Sequence, residues 1–176
     1  DNFRKTGQFL REVLRPMGYE NQGLTYMNLD AGWNAIPEEN LISLVRELHG
    51  SGQKAGIYDS PFAFFGKDED IENEIPGAPG HRFSEILLRD FDGNPLARVD
   101  GAIPLDVTHP VWRQQMEWKL SRFVRWDFDY VKLDFMTHGG MEGCHYDRNI
   151  RTGRQAIETG YRLIAGYLSP ERIGKP

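Results

Sequence analysis

The sequence of 176 residues has a single cysteine, Cys144, no long apolar run and no basic patch. One cysteine excludes an internal disulfide and a cysteine metal cluster, and it leaves the redox compartment open. A membrane helix needs roughly 18 consecutive apolar residues, and nucleic-acid binding needs clustered Lys and Arg. With a net charge of −5 and a mixed composition, the sequence predicts a globular protein with no membrane and no nucleic acid as partner. We favour an extracellular or periplasmic location over a cytoplasmic one.

Apolar periodicity and turn residues divide the chain into alternating helices and strands. A first helix is predicted over 3–15, and a second begins after Pro37, where two acids favour a helix start. The apolar stripe of this second helix consists of Leu41, Leu44, Val45 and Leu48. The other predicted elements are strands at 24–29, 54–58 and 129–135, a helix from Pro110, and a helix over about 149–168.

Strand 24–29, the second helix and strand 54–58 form a βαβ unit, whose two strands must run parallel. Residues 60–84 are rich in glycine, proline and acids, and we expect them to be irregular. The turn Asp-Gly-Asn-Pro at 92–95 lies between two apolar segments and predicts a hairpin. The sequence therefore predicts an α/β domain with an excursion at about 60–108 that carries a small β-hairpin.

The run Asp-Tyr-Val-Lys-Leu-Asp-Phe at 129–135 is the most informative segment of the chain. Aromatic and branched residues predict a strand, and the alternation of a strand places Lys132 and Asp134 on one face. Charged side chains inside an apolar strand need a reason, because burying charge is costly. An ammonium favours the ionised form of a nearby carboxylate, which a nucleophile or an electrostatic stabiliser requires. An exposed surface pair is the alternative interpretation.

Polar and aromatic residues follow the other two strands as well. Asp30 and Trp33 follow strand 24–29, and Tyr58 ends strand 54–58. In a parallel α/β barrel the catalytic residues lie at the carboxyl ends of the strands. We therefore expect the residues at these strand ends to meet around one open site.

Four segments together resemble the clan D glycoside hydrolases, the α-galactosidase-like families 27 and 36. They are Tyr-Met-Asn-Leu-Asp-Ala-Gly-Trp at 26–33, His-Gly-Ser-Gly-Gln-Lys-Ala-Gly-Ile-Tyr at 49–58, Leu-Asp-Val-Thr-His-Pro at 105–110, and the run at 129–135. Their order and spacing also fit, and the resemblance covers roughly 19–168. The run at 129–135 is the most specific of the four.

The resemblance implies a (β/α)₈ TIM barrel, here a partial one with about strands 2–4 and their flanking helices. It implies a retaining glycosidase that acts on α-linked, galactose-like sugars through a covalent glycosyl-enzyme intermediate and needs no cofactor and no metal. Asp134 matches the catalytic nucleophile of the family. The implied substrate-binding residues are Asp30, Trp33, Tyr58 and Lys132. The implied partner is an oligosaccharide or glycoside substrate.

The sequence departs from the family at two points. Ala31 stands where many members carry a second acid, which affects recognition of the distal sugar hydroxyls. The acid/base carboxylate of the family lies about two strands beyond the matching region, while retaining chemistry needs two carboxyl groups about 5 Å apart. A full barrel takes about 250 residues, so we expect the rest of the barrel to come from a parent chain. We expect residues 1–176, as one partial catalytic domain, to be inactive alone.

Two other functions stay open beside hydrolysis: a galactosyl transglycosylase of the same fold, and a noncatalytic carbohydrate-binding or scaffold piece. A cluster after the last strand suggests metal ligands, but its spacing fits a polar loop over the sugar pocket better, with His138 as a substrate contact. This cluster consists of His138, Glu142, His145 and Asp147. We interpret Asp59 as a loop or surface acid, Asp106 as a helix cap, and Tyr26 as a core residue.

Overall fold

The computed structural model describes residues 2–175. Its α-helices are α1 (Asn2–Phe9), α2 (Glu38–Gly50), α3 (Phe83–Ile86), α4 (Pro110–Arg125), α5 (Gly153–Tyr167) and α6 (Pro170–Ile173). Its strands are β1 (Thr25–Leu29), β2 (Gln53–Asp59), β3 (Ala63–Phe64), β4 (Glu74–Ile75), β5 (Ala78–Arg82), β6 (Ile103–Pro104) and β7 (Tyr130–Leu133). Within 2–175, no helix has the length and apolar character needed to cross a membrane.

The chain forms two compact units. The first consists of residues 2–59 and 123–132, and the second of 60–122 and 133–175. The predicted βαβ unit lies in the first, where β1 and β2 pair in parallel in the sheet order β1-β2-β7. The predicted stripe of α2 is buried in full: Leu41, Leu44, Val45 and Leu48. The α/β class and its parallel strand pair are therefore confirmed.

The two faces of this sheet have different surroundings. Met27 and Ile57 are buried, and Gly7 of α1 brings its backbone against Met27 and Leu48. On the opposite face, Tyr26 and Tyr130 are about half exposed, at 48% and 49%. The interpretation of Tyr26 as a core residue is wrong, because β1 turns this ring away from the helices that cover Met27.

The second unit has its core around the ring of Phe62. This ring is fully buried and lies 5.7 Å from the ring of Trp112 on α4. The indole N–H of Trp112 donates to the carbonyl of Pro61 at 2.8 Å. Gly160 of α5 lies against the same ring, since a Cβ there would come within 2.8 Å of Phe62. Close contact at Gly160 thus anchors α5 to the start of the excursion.

The excursion is more regular than the sequence indicates. Strands β4 and β5 form a short antiparallel pair within the stretch expected to be irregular, and β3 pairs with β6. The predicted turn at 92–95 is present, with Arg89 opposite Pro95 and Gly93 at φ 86°. Both short pairs depend on partners distant along the chain or on glycine turns, so apolar periodicity does not reveal them.

Two predicted helices have different bounds in the structure. The first helix leaves α geometry after Phe9 and continues as a π-helical turn over Leu10–Leu14. The last begins at Gly153, four residues later than expected, because Thr152 caps it by accepting from the amide of Gln155. Before this cap, Asp147 accepts from the backbone and side-chain amides of Asn149, which holds the preceding residues in a turn.

Candidate functional site

Each strand of the three-stranded sheet ends at a carboxylate. Asp30 follows β1, Asp59 is the last residue of β2, and Asp134 follows β7. The carboxylates of Asp30 and Asp134 make the same local contact, each accepting from the next backbone amide at 2.8 Å. This contact fixes the direction of a carboxylate at the point where the strand becomes a loop.

In the first unit, the ammonium of Lys132 lies between a carboxylate and an aromatic ring. Lys132 Nζ donates to Asp30 Oδ2 at 3.1 Å and lies 5.1 Å from the centroid of the Tyr58 ring. The side chain of Lys132 is 38% exposed and that of Asp30 is 64% exposed. Three predicted site residues therefore meet at the ends of three strands, in a position that solvent reaches.

The electrostatics of Asp30 follow from these contacts. Its pKa lies below the ordinary value, first because the amide of Ala31 donates to the carboxylate and then because Lys132 does. Ala31 thus contributes through its backbone at the position where many members of the resembled family carry a second acid. The carboxylate is held in its charged, accepting form, which suits sugar hydroxyls.

Trp33 is anchored by its indole nitrogen. Nε1 donates to the carbonyl of Tyr58 at 2.7 Å, and the ring makes edge contacts with Phe123 and Trp126 at 5.5 and 5.9 Å. The indole thus ties the loop after β1 to the end of β2. Its contact with a sugar stays a prediction, and its packing against Phe123 could not be predicted because that residue lies on a distant helix.

In the second unit, Asp134 begins a tight turn. The turn continues as a 3₁₀ helix over Met136–Gly140, and Phe135 before it adopts the left-handed conformation with φ 53°. A bulky residue in this region costs of order 1–3 kcal/mol and persists only where its surroundings enforce it. Such strain is concentrated at functional sites, and no local sequence signal for it exists at Phe135.

His138 does not face solvent. The residue is 1% exposed, and its ring nitrogens lie 3.1 Å from the carbonyl oxygen of Phe135 and 2.9 Å from that of Val99. The ring of Phe135 contacts His138 and also Phe65, at centroid distances of 5.8 and 4.7 Å. The expected contact of His138 with substrate is therefore not supported by its position, because both nitrogens face the backbone.

The structure gives two carboxylates, those of Asp59 and Asp106, surroundings that differ from the ones expected from the sequence. Asp59 is 6% exposed, so its interpretation as a surface acid is wrong. Asp106 is 4% exposed and accepts from the amide and hydroxyl of Thr108 and from the amide of Tyr146. Asp106 therefore joins the start of α4 to the loop at 144–147, rather than only capping the helix.

The residues weighed as metal ligands have separate surroundings. His145 Nδ1 lies 3.5 Å from Asp106 Oδ1, whereas His138 faces the two carbonyls. Within 2–175, no three His, Cys, Asp or Glu side chains are grouped so that they could hold a metal. A cleft of about 970 Å³ runs along α4 and α5, but none of the predicted site residues lines it.

Comparisons with known proteins extend this picture. No protein-family model and no curated protein matches the sequence. Solved structures do match: the α-galactosidase TtGalA from Thermus thermophilus, in complex with stachyose, has a TM-score of 0.59 and 20% identity. The match covers 95% of this chain and 34% of that one.

Two further structures are similar. The α-N-acetylgalactosaminidase NagBb from Bifidobacterium bifidum, in complex with GalNAc, matches over 95% of this chain and 28% of its own, at a TM-score of 0.63 and 19% identity. The cycloalternan-degrading enzyme from Trueperella pyogenes matches over 77% and 20%, at a TM-score of 0.52 and 20% identity.

The chain thus spans between 20% and 34% of the length of these three proteins. At identities near 20%, the likeness concerns the fold. The resemblance to α-galactosidase-like enzymes, which the four sequence segments predicted, is confirmed as a similarity of fold. Residues 2–175 have the fold of part of a glycosidase chain of the α-galactosidase and α-N-acetylgalactosaminidase type.

Proposed function

We propose that the chain is part of the (β/α)₈ catalytic barrel of a retaining α-glycosidase, with Asp134 as its nucleophile. The observation that carries this proposal is the position of the Lys132 ammonium, between the Asp30 carboxylate and the Tyr58 ring at the strand ends. A cation, an anion and an aromatic face in a solvent-accessible position can together bind the hydroxyls and the apolar face of a sugar.

In the proposed reaction, the carboxylate of Asp134 attacks the anomeric carbon of an α-linked sugar. A glycosyl ester forms as a second carboxyl group, supplied beyond the matching region, protonates the leaving oxygen. Water then attacks the ester with that second group as the base, and the sugar leaves with its configuration retained. The amide of Phe135, which donates to Asp134 Oδ1, fixes the direction of the nucleophile.

The substrate class follows from the binding residues. Lys132 and Asp30 supply a donor and an acceptor for adjacent sugar hydroxyls, and Trp33 and Tyr58 supply aromatic surface. Stachyose, bound to TtGalA, and GalNAc, bound to NagBb, are ligands of this general kind. Because Ala31 brings no second carboxylate, we propose a galactose-like sugar with relaxed selectivity at the distal hydroxyls.

The nucleophile is tested with Asp134→Asn in the full-length parent. The variant should keep its fold and lose turnover of an aryl α-galactoside by at least about 10³-fold, because the amide cannot form the ester. The matched control is Asp92→Asn, an exposed acid in the excursion, which should retain activity. With the unmutated parent, NMR of the first sugar released from the aryl α-galactoside should show the α-anomer, as a retaining mechanism requires. Normal turnover by Asp134→Asn would refute the assignment.

The same assay separates hydrolysis from transfer. A hydrolase releases free sugar at the same rate with and without an acceptor oligosaccharide, whereas a transglycosylase shifts its product to the acceptor. A noncatalytic protein would bind the sugar without any product.

The role of Lys132 is tested with Lys132→Met. Loss of the ammonium removes a hydrogen bond to a sugar hydroxyl and leaves Asp30 with the Ala31 amide alone, so sugar binding should weaken about 10-fold or more. Isothermal titration calorimetry of the full-length parent and its Lys132→Met variant with galactose measures this change in affinity. Lys67→Met, at a lysine whose side chain is 79% exposed, is the control. Equal affinity in both variants would exclude Lys132 from the binding site.

A further inference from the structure

His138 lies in the turn that presents Asp134, but it cannot reach a ligand. Its ring is buried, with one nitrogen at the carbonyl of Phe135 and the other at the carbonyl of Val99. Carbonyl oxygens only accept hydrogen bonds, so the ring acts here as a donor. A neutral imidazole donates to one of these oxygens, and an imidazolium donates to both. The two contacts make His138 a bridge between the backbone at Phe135 and the backbone at Val99, which are 36 positions apart in the chain.

One end of this bridge is rigid. Val99 and Ala102 exchange two backbone hydrogen bonds across a turn in which Asp100 and Gly101 have φ of 49° and 81°. Arg98, next to this turn, donates to the carbonyl of Gly66 at 2.8 Å and pairs with Asp68 at 2.7 Å. The carbonyl of Val99 is therefore a fixed point within the excursion.

The other end of the bridge is the strained residue. Phe135 has φ 53°, and its carbonyl faces His138 while its amide donates to Asp134 Oδ1. Its ring contacts the rings of His138 and Phe65. Phe135 in its left-handed conformation is thus contacted at its amide, its carbonyl and its side chain. His138 makes contacts to the carbonyl and to the side chain.

We propose that His138 is a positioning residue, which holds Phe135 in the left-handed conformation and thereby aims the Asp134 carboxylate. The inference rests on the proposed function of Asp134 as a nucleophile. It assigns the excursion a role as well, since the turn at 99–102 supplies the fixed oxygen against which the imidazole is held. His138 therefore affects the reaction through the direction of Asp134, without touching the sugar.

The test uses three variants of the full-length parent, which differ in whether they can keep the contact to Phe135 or the contact to Val99. His138→Asn places an amide near Nδ1 and can keep the bond to Phe135. His138→Gln reaches the Nε2 position and can keep the bond to Val99, while His138→Ala loses both. If His138→Ala does not fold, the comparison of Asn with Gln still decides the outcome.

The first measurement is structural. Crystal structures of the variants should show Phe135 outside the left-handed region in His138→Gln and His138→Ala, and inside it in His138→Asn. The bond from the Phe135 amide to Asp134 should be lost together with that conformation. Retention of both features in His138→Ala, or in His138→Gln if His138→Ala does not fold, would overturn the inference, whatever the activity of the enzyme.

The second measurement is kinetic. A misaimed nucleophile lowers kcat, by roughly 10²-fold for a displacement near 1 Å, and leaves KM largely unchanged. His138→Asn should restore most of kcat, and His138→Gln should not. Equal kcat per folded molecule in the Asn and Gln variants would show that His138 only stabilises the fold, and would overturn the inference.

A trapping experiment separates this inference from the proposed function. A fluorinated, activated α-galactoside should label Asp134 of the wild type covalently, as mass spectrometry of the labelled peptide would show, and label the His138→Gln variant more slowly. No label on wild-type Asp134 contradicts the proposed nucleophile, while the conformation of Phe135 in the variants still decides the positioning role. Equal labelling rates in wild type and His138→Gln contradict the positioning role alone.

Discussion

The carboxylate of Asp106 shows how much one buried residue can connect. It accepts from Thr108 through two atoms and from the amide of Tyr146 at 2.6 Å, with the imidazole of His145 also beside it. These groups belong to the start of α4 and to the loop at 144–147. A carboxylate in this position stabilises the fold only while it is ionised, because protonation removes acceptor capacity.

We predict that Asp106→Ala destabilises the protein by about 1–3 kcal/mol, because it leaves buried donors without an acceptor. The exposed Asp92→Ala should change the free energy of unfolding by less than about 0.5 kcal/mol. Urea unfolding of both variants measures the difference. Equal midpoints for Asp106→Ala and the wild type would show that water replaces the carboxylate without cost.

Asp106 also predicts the acid sensitivity of the fold. Burial raises the pKa of Asp106, but the nearby imidazole of His145 and the hydrogen bonds from Thr108 and Tyr146 outweigh burial and hold it below the ordinary 3.8. The unfolded chain therefore binds the proton at a higher pH than the folded chain. The stabilisation that Asp106 contributes is fully present at pH values above its ordinary pKa of 3.8. It is lost as the pH falls through the lower pKa of the folded state. Asp106→Asn should flatten the stability curve in this acid range, as urea midpoints against pH would measure.

At the scale of elements, β2 depends on a glycine at its centre. A Cβ at Gly56 would lie 2.5 Å from Asn28 Oδ1 on β1 and 2.8 Å from the Tyr130 ring on β7. Gly56 thus lets two large side chains from the neighbouring strands lie over the middle strand. A strand of this composition would otherwise favour a branched residue at that position.

We predict that Gly56→Ala destabilises the protein by about 1–3 kcal/mol, the usual cost of overpacking. The matched control is Gly50→Ala at the end of α2, where a Cβ meets open space. The control should be neutral or slightly stabilising, by up to about 1 kcal/mol, because alanine favours the helix. Thermal unfolding of the two variants gives the comparison, and equal melting temperatures would contradict the packing argument.

The sequence predicts elements where the signal is local. The stripe of α2 and the parallel pairing of β1 with β2 follow from periodicity and a short βαβ connection. The left-handed Phe135 and the burial of His138 could not be predicted, because they depend on Phe65 and Val99, which are distant in the chain. The meeting of Asp30, Tyr58 and Lys132 at the strand ends was predictable because its signal is local. The turn after Asp134 was not predictable, because it depends on these distant contacts.

At the scale of the whole molecule, the proposed nucleophile Asp134 and the proposed sugar-binding residues Asp30, Tyr58 and Lys132 belong to two compact units. Its fold matches 34% of the length of TtGalA and 28% of that of NagBb. Retaining hydrolysis needs a second carboxyl group about 5 Å from the first, and the family resemblance assigns this group to a strand beyond the matching region. We therefore expect residues 1–176 to bind a sugar without catalysing hydrolysis of a glycoside.

We predict that residues 1–176 alone give no turnover of p-nitrophenyl α-D-galactopyranoside, the compound bound to TtGalA in a second solved structure. p-Nitrophenolate leaves without help from an acid, but the short chain has no proposed base to activate the water that hydrolyses the glycosyl ester. Sustained turnover by the full-length parent should therefore exceed that of the short chain by at least about 10³-fold. Release of p-nitrophenol from both proteins at equal folded concentration measures the ratio. Turnover by the short chain that disappears in Asp134→Asn would place an acid/base group within the 176 residues. Turnover that survives Asp134→Asn would instead refute Asp134 as the nucleophile.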